Sequence, residues 1–359
     1  MKILVIQQKM IGDVLTSSIL FEVLRKEFPE ARLEYLIYKH TAPVVENNPF
    51  IDELILSGKE DFKPGHFYGF LNEIKARKYD VIIDVYSKIG TALLCAYSGA
   101  GISVSYEKWY TRRFYSHVIE RAEKAMTPAG LAIENRLRLL TPLMENAPAD
   151  IKPKIYLTSP EIDAARQRLE NSGISLNKML LMVSVLGSSD EKTYPPQYLA
   201  TTLDKVVAET GAQLLFNYIP KQLPDAQKVF ELCNIETQKN IHLDLFGKSI
   251  REFMALTSQC DALIGNEGGA VNMAKALNVP TFSIFSPAVK KEDWSIFENN
   301  TTNISVHLND YKPELFRERS TKNLKKDYKK LYELFKPEMV WDSLKDFLRT
   351  ISTENNTKN

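Results

Sequence analysis

The sequence predicts an α/β protein built from two doubly wound parallel sheets, and three observations carry that expectation. Short apolar runs alternate with helical patterns from the first residues onward. The alternation pauses at a proline-rich stretch, 147–160 (APADIKPKIYLTSP), and then starts afresh. At 359 residues the chain is too long for one ordinary core and suits two.

In the first half, residues 2–7 (KILVIQ) read as a buried strand and 14–28 as a helix. Val14, Leu15, Ile19, Val23 and Leu24 share one face of that helix. A strand at 33–37, a short helix at 41–47 and an edge strand at 54–56 follow. A helix at 67–77 leads to a core strand at 80–85 (DVIIDV), a small helix at 91–98, a strand at 102–105 and a long helix at 130–145. After the bridge, strands are expected at 179–186, 213–217, 241–243, 262–264 and 281–284, with helices at 196–210, 225–233, 250–259 and 270–277 between them. A helix at 337–351 closes the chain and STENNTKN trails as a frayed tail. Such alternation calls for parallel sheets joined by right-handed crossovers. The expected domains are 1–155 and 156–335, with 336–359 a terminal helix and tail.

Composition excludes several classes. Hydrophobic residues at 44% and charged residues at 25% describe an ordinary soluble globular protein. A net charge of +1 offers no bulk reason to expect a nucleic-acid partner. Cys95, Cys233 and Cys260 lie far apart without a CxxC, and the five histidines form no HxxxH pair. Neither a disulfide framework nor a zinc site is expected, and a reducing cytoplasm fits. The N-terminus enters a strand pattern directly, so no export signal is expected. No apolar run approaches the ~20 residues that span a bilayer. A peripheral contact with the inner face of a membrane stays open.

Ligands of open α/β sheets sit beyond the carboxyl ends of the strands, so the strand-to-helix loops are where chemistry belongs. In ALIGNEGGAVNMAKAL a strand runs into Gly265, Asn266, Glu267, Gly268 and Gly269, and a helix follows through Ala270 and Asn272. Paired glycines allow close backbone approach, and the amides at a helix start favour an anion such as a diphosphate. The plainer reading is a tight turn before an ordinary helix. In VSVLGSSDEKTYPPQYL a loop containing Ser188 places Lys192 just before a proline-started helix, where it can reach a phosphate or simply be solvated. In MKILVIQQKMIGDVLTSS, Gly12 and Asp13 follow the first strand. Asp13 reads either as the N-cap of a helix starting at Val14 or as a base that takes a proton from an acceptor hydroxyl. No GxGxxG follows either first strand, which disfavours a dinucleotide oxidoreductase.

Taken together and in this order, these places resemble glycosyltransferase family nine, the bacterial heptosyltransferases of the lipopolysaccharide inner core. NNPFIDELI and RKYDVIIDVYSK add two further signatures of that family, and the resemblance spans residues 1 to about 297. It implies a GT-B fold, two facing Rossmann-like domains with the active site in the cleft. It implies an inverting displacement from a nucleotide-sugar donor, an ADP-activated heptose, to an anionic lipopolysaccharide precursor. No cofactor beyond that co-substrate is implied, and the absence of a DxD motif agrees with a metal-free reaction. By position, Asp13 matches the general base and Lys192 the lysine on the donor phosphate. The donor set so implied is Lys192, Ser188, Asn266, Glu267, Gly268, Gly269, Ala270 and Asn272. The sequence departs from the family pattern at Glu267, where the family has Asp, at Asn272, where it has His, and at Tyr194, often Trp.

For the acceptor, Gly12, Lys88, Arg112 and Arg113 are the candidates, since guanidinium and ammonium groups suit carboxylates and phosphates. The stretch WYTRRFY that carries the two arginines also suits an anionic membrane surface or a solvated loop. RERSTKNLKKDYKKLYELFK, 317–336, reads as a charged solvent-facing helix, with membrane attachment as the other reading. Trp294 belongs either to a donor-side loop or to the core. A sugar-nucleotide epimerase or hydrolase on the same architecture, and a non-catalytic binding relative, remain the competing functions.

Overall fold

Each half of the chain builds one six-stranded sheet in the computed structural model, which describes residues 1–145, 147–148, 151–317 and 319–356, with side chains to 353. The halves are the units Met1–Tyr156 and Leu157–Asn359. In the first, β1 (Lys2–Ile6), β2 (Arg32–Tyr38), β3 (Glu53–Ser57), β4 (Val81–Asp84), β5 (Ile102–Tyr106) and β6 (His117–Ile119) stand in the order β3-β2-β1-β4-β5-β6. In the second, β7 (Leu180–Ser184), β8 (Gln213–Asn217), β9 (Ile241–His242), β10 (Ala262–Asn266), β11 (Thr281–Ile284) and β12 (Asn303–Val306) stand in the order β12-β11-β10-β7-β8-β9. The two orders are the same once each unit is numbered from its own first strand, and the pairings are parallel in both. Strand order reverses between β1 and β4 and again between β7 and β10, the two places where such sheets bind ligands.

The central strands are apolar on both faces because helices cover both. Ile3, Leu4, Val5 and Ile6 of β1 are fully buried, as are Leu181 and Val183 of β7. Glu34 in β2 and Asp84 in β4 are buried carboxylates among them. Glu34 is held by ion pairs. Burial opposes its ionisation, yet Tyr79, Lys2 and Arg32 hold its carboxyl down at about 2.

Several expected elements differ in extent. The stretch 14–28 is two helices, Ile11–Ser17 and Ile19–Glu27, broken at Ser18, whose hydroxyl donates to the Leu15 carbonyl at 2.7 Å. The helix expected over 130–145 is confined to Leu131–Arg138. Strands β6 and β12 and the helices Ser159–Asn171 and Ile235–Asn240 were not expected. The bridge 147–160 ends in the first of those helices, and residues 149–150 within it lie outside the described residues. The closing helix, Pro337–Asn356, runs through most of the expected tail, and 357–359 lie outside the described residues. Its Val340, Leu344, Phe347, Leu348 and Ile351 pack into the second core, so it belongs to that unit's interior.

The basic stretch 317–336 behaves alike. Its helices, Thr321–Lys326 and Tyr328–Leu334, bury Leu324, Leu331 and Tyr332, and Phe335 follows into the same core. Its apolar face is therefore used internally, which removes the basis for reading it as a membrane attachment. Trp294 is about half exposed, at 49%, and anchors no core. Among the described residues, no helix is long and apolar enough to cross a membrane.

Candidate functional site

The loops after β7 and β10 lie side by side because those strands pair. Gly265 makes the pairing close. Its φ is 118°, and a Cβ there would stand 2.5 Å from the Ser184 carbonyl oxygen. Asn266 then staples the two loops. Its Nδ2 donates to the Ser184 and Val185 carbonyls at 2.9 and 2.7 Å, and its Oδ1 accepts the Tyr194 amide at 2.6 Å. With the side chain fully buried and engaged on both ends, the Asn266 amide group positions the loops.

Glu267 and Lys192, expected to serve one ligand, do come together. Lys192 Nζ lies 3.0 Å from Glu267 Oε1, with the carboxylate 7% exposed and the lysine 30%. That oxygen makes an ion pair without an aligned hydrogen bond, so it keeps acceptor capacity. Gly268, at φ 147°, turns the chain into the helix Gly269–Ala276, which has no side-chain cap. The first-turn amides of Gly269 and Ala270 have no acceptor within the helix. A Cβ added at Gly268 or Gly269 would meet nothing within 4 Å, so the backbone there faces open space. Asn272 sits a turn further on, its amide on the Gly268 carbonyl at 3.3 Å.

The lysine loop is held from several sides. A Cβ on Gly187 would stand 2.1 Å from the Lys192 carbonyl oxygen, and the Gly187 amide donates to Thr193 Oγ1 at 3.0 Å. The Tyr194 hydroxyl donates to the Phe335 carbonyl at 2.8 Å, and the Ser286 hydroxyl to the Glu191 carbonyl at 2.5 Å. His307 holds Ser286 in turn. Burial pushes its imidazole below the usual range, so the ring is neutral at pH 7. Its Nδ1 accepts the Asn309 amide, which leaves the proton on Nε2 for the Ser286 carbonyl at 3.1 Å. Ser188 is exposed and lines a hollow of about 330 Å³ with Leu186, Gly187, Asp190, Gln222 and Lys228.

In the first unit the geometry overturns one reading of Asp13. The helix starts at Ile11 after an N-cap at Met10, so Asp13 lies inside the first turn and caps nothing. Its Oδ1 instead accepts from Arg136 Nη2 at 2.8 Å. Arg136, 8% exposed, is fixed by two more bonds, Nε to Ser17 Oγ at 2.8 Å and Nη1 to the Ala132 carbonyl at 2.7 Å. A guanidinium held at three points holds its carboxylate partner in one orientation. Sequence reasoning missed Arg136, which lies 123 residues from Asp13. One signal was available: it falls one turn after Ile133 and next to Leu137 on the apolar side of its helix, an unusual place for a charge.

Around Asp13 the other loops of this sheet edge are polar. Gly12 is half-buried, and its carbonyl accepts the Thr16 hydroxyl at 2.8 Å. Lys88 is exposed at the start of the helix Ile89–Ser98. Lys108 Nζ donates to the Ser87 carbonyl at 2.6 Å. Arg112 and Arg113 are exposed on a short turn, Arg112 at 3.8 Å from Glu107.

Two Rossmann-type sheets, one ending in a glycine turn beside a lysine and the other in a fixed carboxylate, define an α/β protein of the GT-B class. The chain belongs to glycosyltransferase family 9 (heptosyltransferase), whose family model matches residues 68–325, and is accordingly a glycosyltransferase. It is 26% identical over 289 residues to a putative glycosyltransferase of Haemophilus influenzae, covering 79% of this chain and 82% of that protein. It is 22% identical to lipopolysaccharide heptosyltransferase 3 of Escherichia coli, covering 87% and 90%. Among solved structures, a family 9 glycosyl transferase from Veillonella parvula superposes with a TM-score of 0.78 at 20% identity, covering 98% of this chain and 97% of that one. E. coli heptosyltransferase WaaC, solved with ADP, superposes at 0.64 and 14% identity, covering 86% and 93%.

Proposed function

We propose that the protein is an inverting, metal-independent transferase that moves a heptose or a closely related sugar from ADP-heptose to an anionic lipopolysaccharide core acceptor in the cytoplasm. The observation that carries this reading is the donor turn, where Lys192 and Glu267 meet beside the open backbone of Gly268 and Gly269. A nucleotide diphosphate gains a negative charge as its bond to the sugar breaks. Lys192 and the first-turn amides of Gly269 and Ala270 are placed to stabilise that charge, each well-placed donor contributing about 3 to 4 kcal/mol. Glu267 gives up Lys192 to the diphosphate and accepts from sugar hydroxyls. Asp13, oriented by Arg136, takes the proton of the acceptor hydroxyl as its oxygen bonds to the anomeric carbon. The second unit thus binds the donor and the first the acceptor, with Gly12, Lys88, Arg112 and Arg113 as acceptor contacts. The ADP in the WaaC structure and the relatives' names as lipopolysaccharide heptosyltransferases support the choice of donor and acceptor class. The reading requires no cofactor.

The test is a panel of ADP-, GDP- and UDP-sugars screened by thermal shift, with binders then assayed for transfer to lipid A-core acceptors. ADP-heptose should shift the melting temperature and be consumed only when acceptor is present. Consumption without acceptor would mean an epimerase or hydrolase, and no nucleotide shift at millimolar ligand would overturn the reading.

A further inference from the structure

We propose that His307 is a positioning residue for the donor: through Ser286 it holds the loop that carries Lys192 in place for the diphosphate. The inference rests on the transferase reading above and adds a residue that serves the donor without touching it. His307 follows β12, Ser286 follows β11 and Glu191 follows β7, so the three belong to loops along one edge of the second sheet. Between β11 and β7 stands β10, which leads to Glu267 and the glycine turn. The bond from Ser286 to Glu191 therefore crosses the strand that bears the donor turn and ends one residue before Lys192.

Each link of this brace has one direction. The Asn309 amide can only donate, so His307 Nδ1 accepts it at 3.0 Å and the ring proton sits on Nε2, 3.1 Å from the Ser286 carbonyl. Ser286 Oγ accepts the Ala288 amide at 3.1 Å, which leaves its own proton for the Glu191 carbonyl at 2.5 Å. His307 is 4% exposed and Ser286 is fully buried, so water does not compete for these bonds. The Phe316 ring packs on the imidazole with centroids 5.1 Å apart. The other holds on the loop act after the lysine, where Asn266 takes the Tyr194 amide and Gly187 donates to Thr193. Ser286 acts on the residue before it, so Lys192 is fixed from both sides.

The same geometry makes the hold sensitive to acid. A proton added at Nδ1 would face the Asn309 amide donor to donor. Burial is the largest influence on the ring and lowers its pKa. Asp310 and Glu292 oppose that, and Lys291 adds to it. Asp310 is already engaged, since its oxygens accept the His307 amide at 2.8 Å and Lys291 Nζ at 2.7 Å. At pH 7 the ring is neutral and the brace closed. The ring gains its second proton only as pH falls below the ordinary histidine value of 6.5.

The experiment measures ADP affinity by calorimetry and both steady-state KM values on the whole protein. His307→Phe and Ser286→Ala should each weaken ADP binding about tenfold and raise the donor KM alike, with the acceptor KM within about twofold of wild type. Ser286→Ala is the second variant should His307→Phe fold poorly. His307→Gln, whose amide can donate from the Nε2 position without titrating, should keep wild-type ADP affinity at pH 7. Between about pH 7 and 5, wild type should lose more ADP affinity than His307→Gln, a comparison in which the titration of ADP itself cancels. Donor and acceptor KM rising together, or a glutamine variant as weak as the phenylalanine one, would overturn the proposal. If ADP binds and sugar is transferred but neither His307→Phe nor Ser286→Ala changes ADP affinity, the brace is overturned and the transferase reading survives. If wild type does not bind ADP, that reading fails, and hydrogen exchange at residues 187–194 decides the brace. Faster exchange there in Ser286→Ala than in wild type upholds it, and unchanged exchange overturns it.

Discussion

The two units share one strand order and use it differently. At the edge of the second sheet the groups proposed for the donor are mostly backbone. Gly265 lets β7 and β10 close, Asn266 staples their loops, and Gly268 leaves amides facing open space, with Lys192 as the cation. At the edge of the first sheet the groups proposed for the acceptor side are side chains: Asp13 fixed by Arg136, with Lys88 after β4 and Arg112 and Arg113 after β5. A turn built from backbone amides suits a group of constant shape, such as a diphosphate. A row of side chains can differ between relatives without disturbing the sheet, which suits an acceptor that varies.

Breaking each side in turn should produce different kinetic signatures. The largest effect is expected for Asp13→Asn, which should lower kcat about 100- to 10,000-fold. ADP affinity measured by calorimetry should stay at the wild-type value. Near-normal turnover in this variant would show that the Asp13–Arg136 pair is structural. Lys192→Met should lower kcat/KM about 100-fold, and here ADP affinity should fall as well. If ADP affinity does not change, the diphosphate lies elsewhere.

Arg136→Lys tests whether orientation matters apart from charge. A lysine cannot reproduce the three-point hold on Asp13, Ser17 and Ala132. The expected loss in kcat is about tenfold, with unchanged ADP affinity, and equal kcat would show that a positive charge suffices.

The smallest effect is a dependence on pH. Lys108 faces Lys88, Arg121 and Asp84, and its pKa of about 8 means that it loses its charge as pH rises through that value. Between about 8 and the ordinary lysine value of 10.5 the unfolded chain binds the proton more tightly than the folded one. Stability should thus increase slightly with pH across that window, and a thermal-shift series on wild type and Lys108→Met checks it, since the variant should lose that increase.

Much of this arrangement was legible in the residues themselves. Apolar runs such as KILVI and DVIIDV announce strands buried on both faces, and the glycines of GNEGG announce a tight turn, because both depend on local chain preference. The helix Ser159–Asn171 also carries a signal in the sequence, the capping box of Thr158 and Glu161. Edge strands of three and four residues, β6 and β12, carry too little pattern to read and form because a sheet is already there to pair with.

Site roles divided along the same line. Residue type and loop position placed Asp13, Lys192 and Glu267 at strand ends from sequence alone. Only the tertiary structure decided that Asp13 pairs with Arg136 instead of capping a helix, that Asn266 is used up inside the protein, and that Lys88, Lys108 and Arg121 share one edge. Each of those outcomes is a contact between residues tens to more than a hundred positions apart. Local preferences act over a few residues, whereas such partners are chosen by the order in which strands pair and by the need of every buried polar group for a partner.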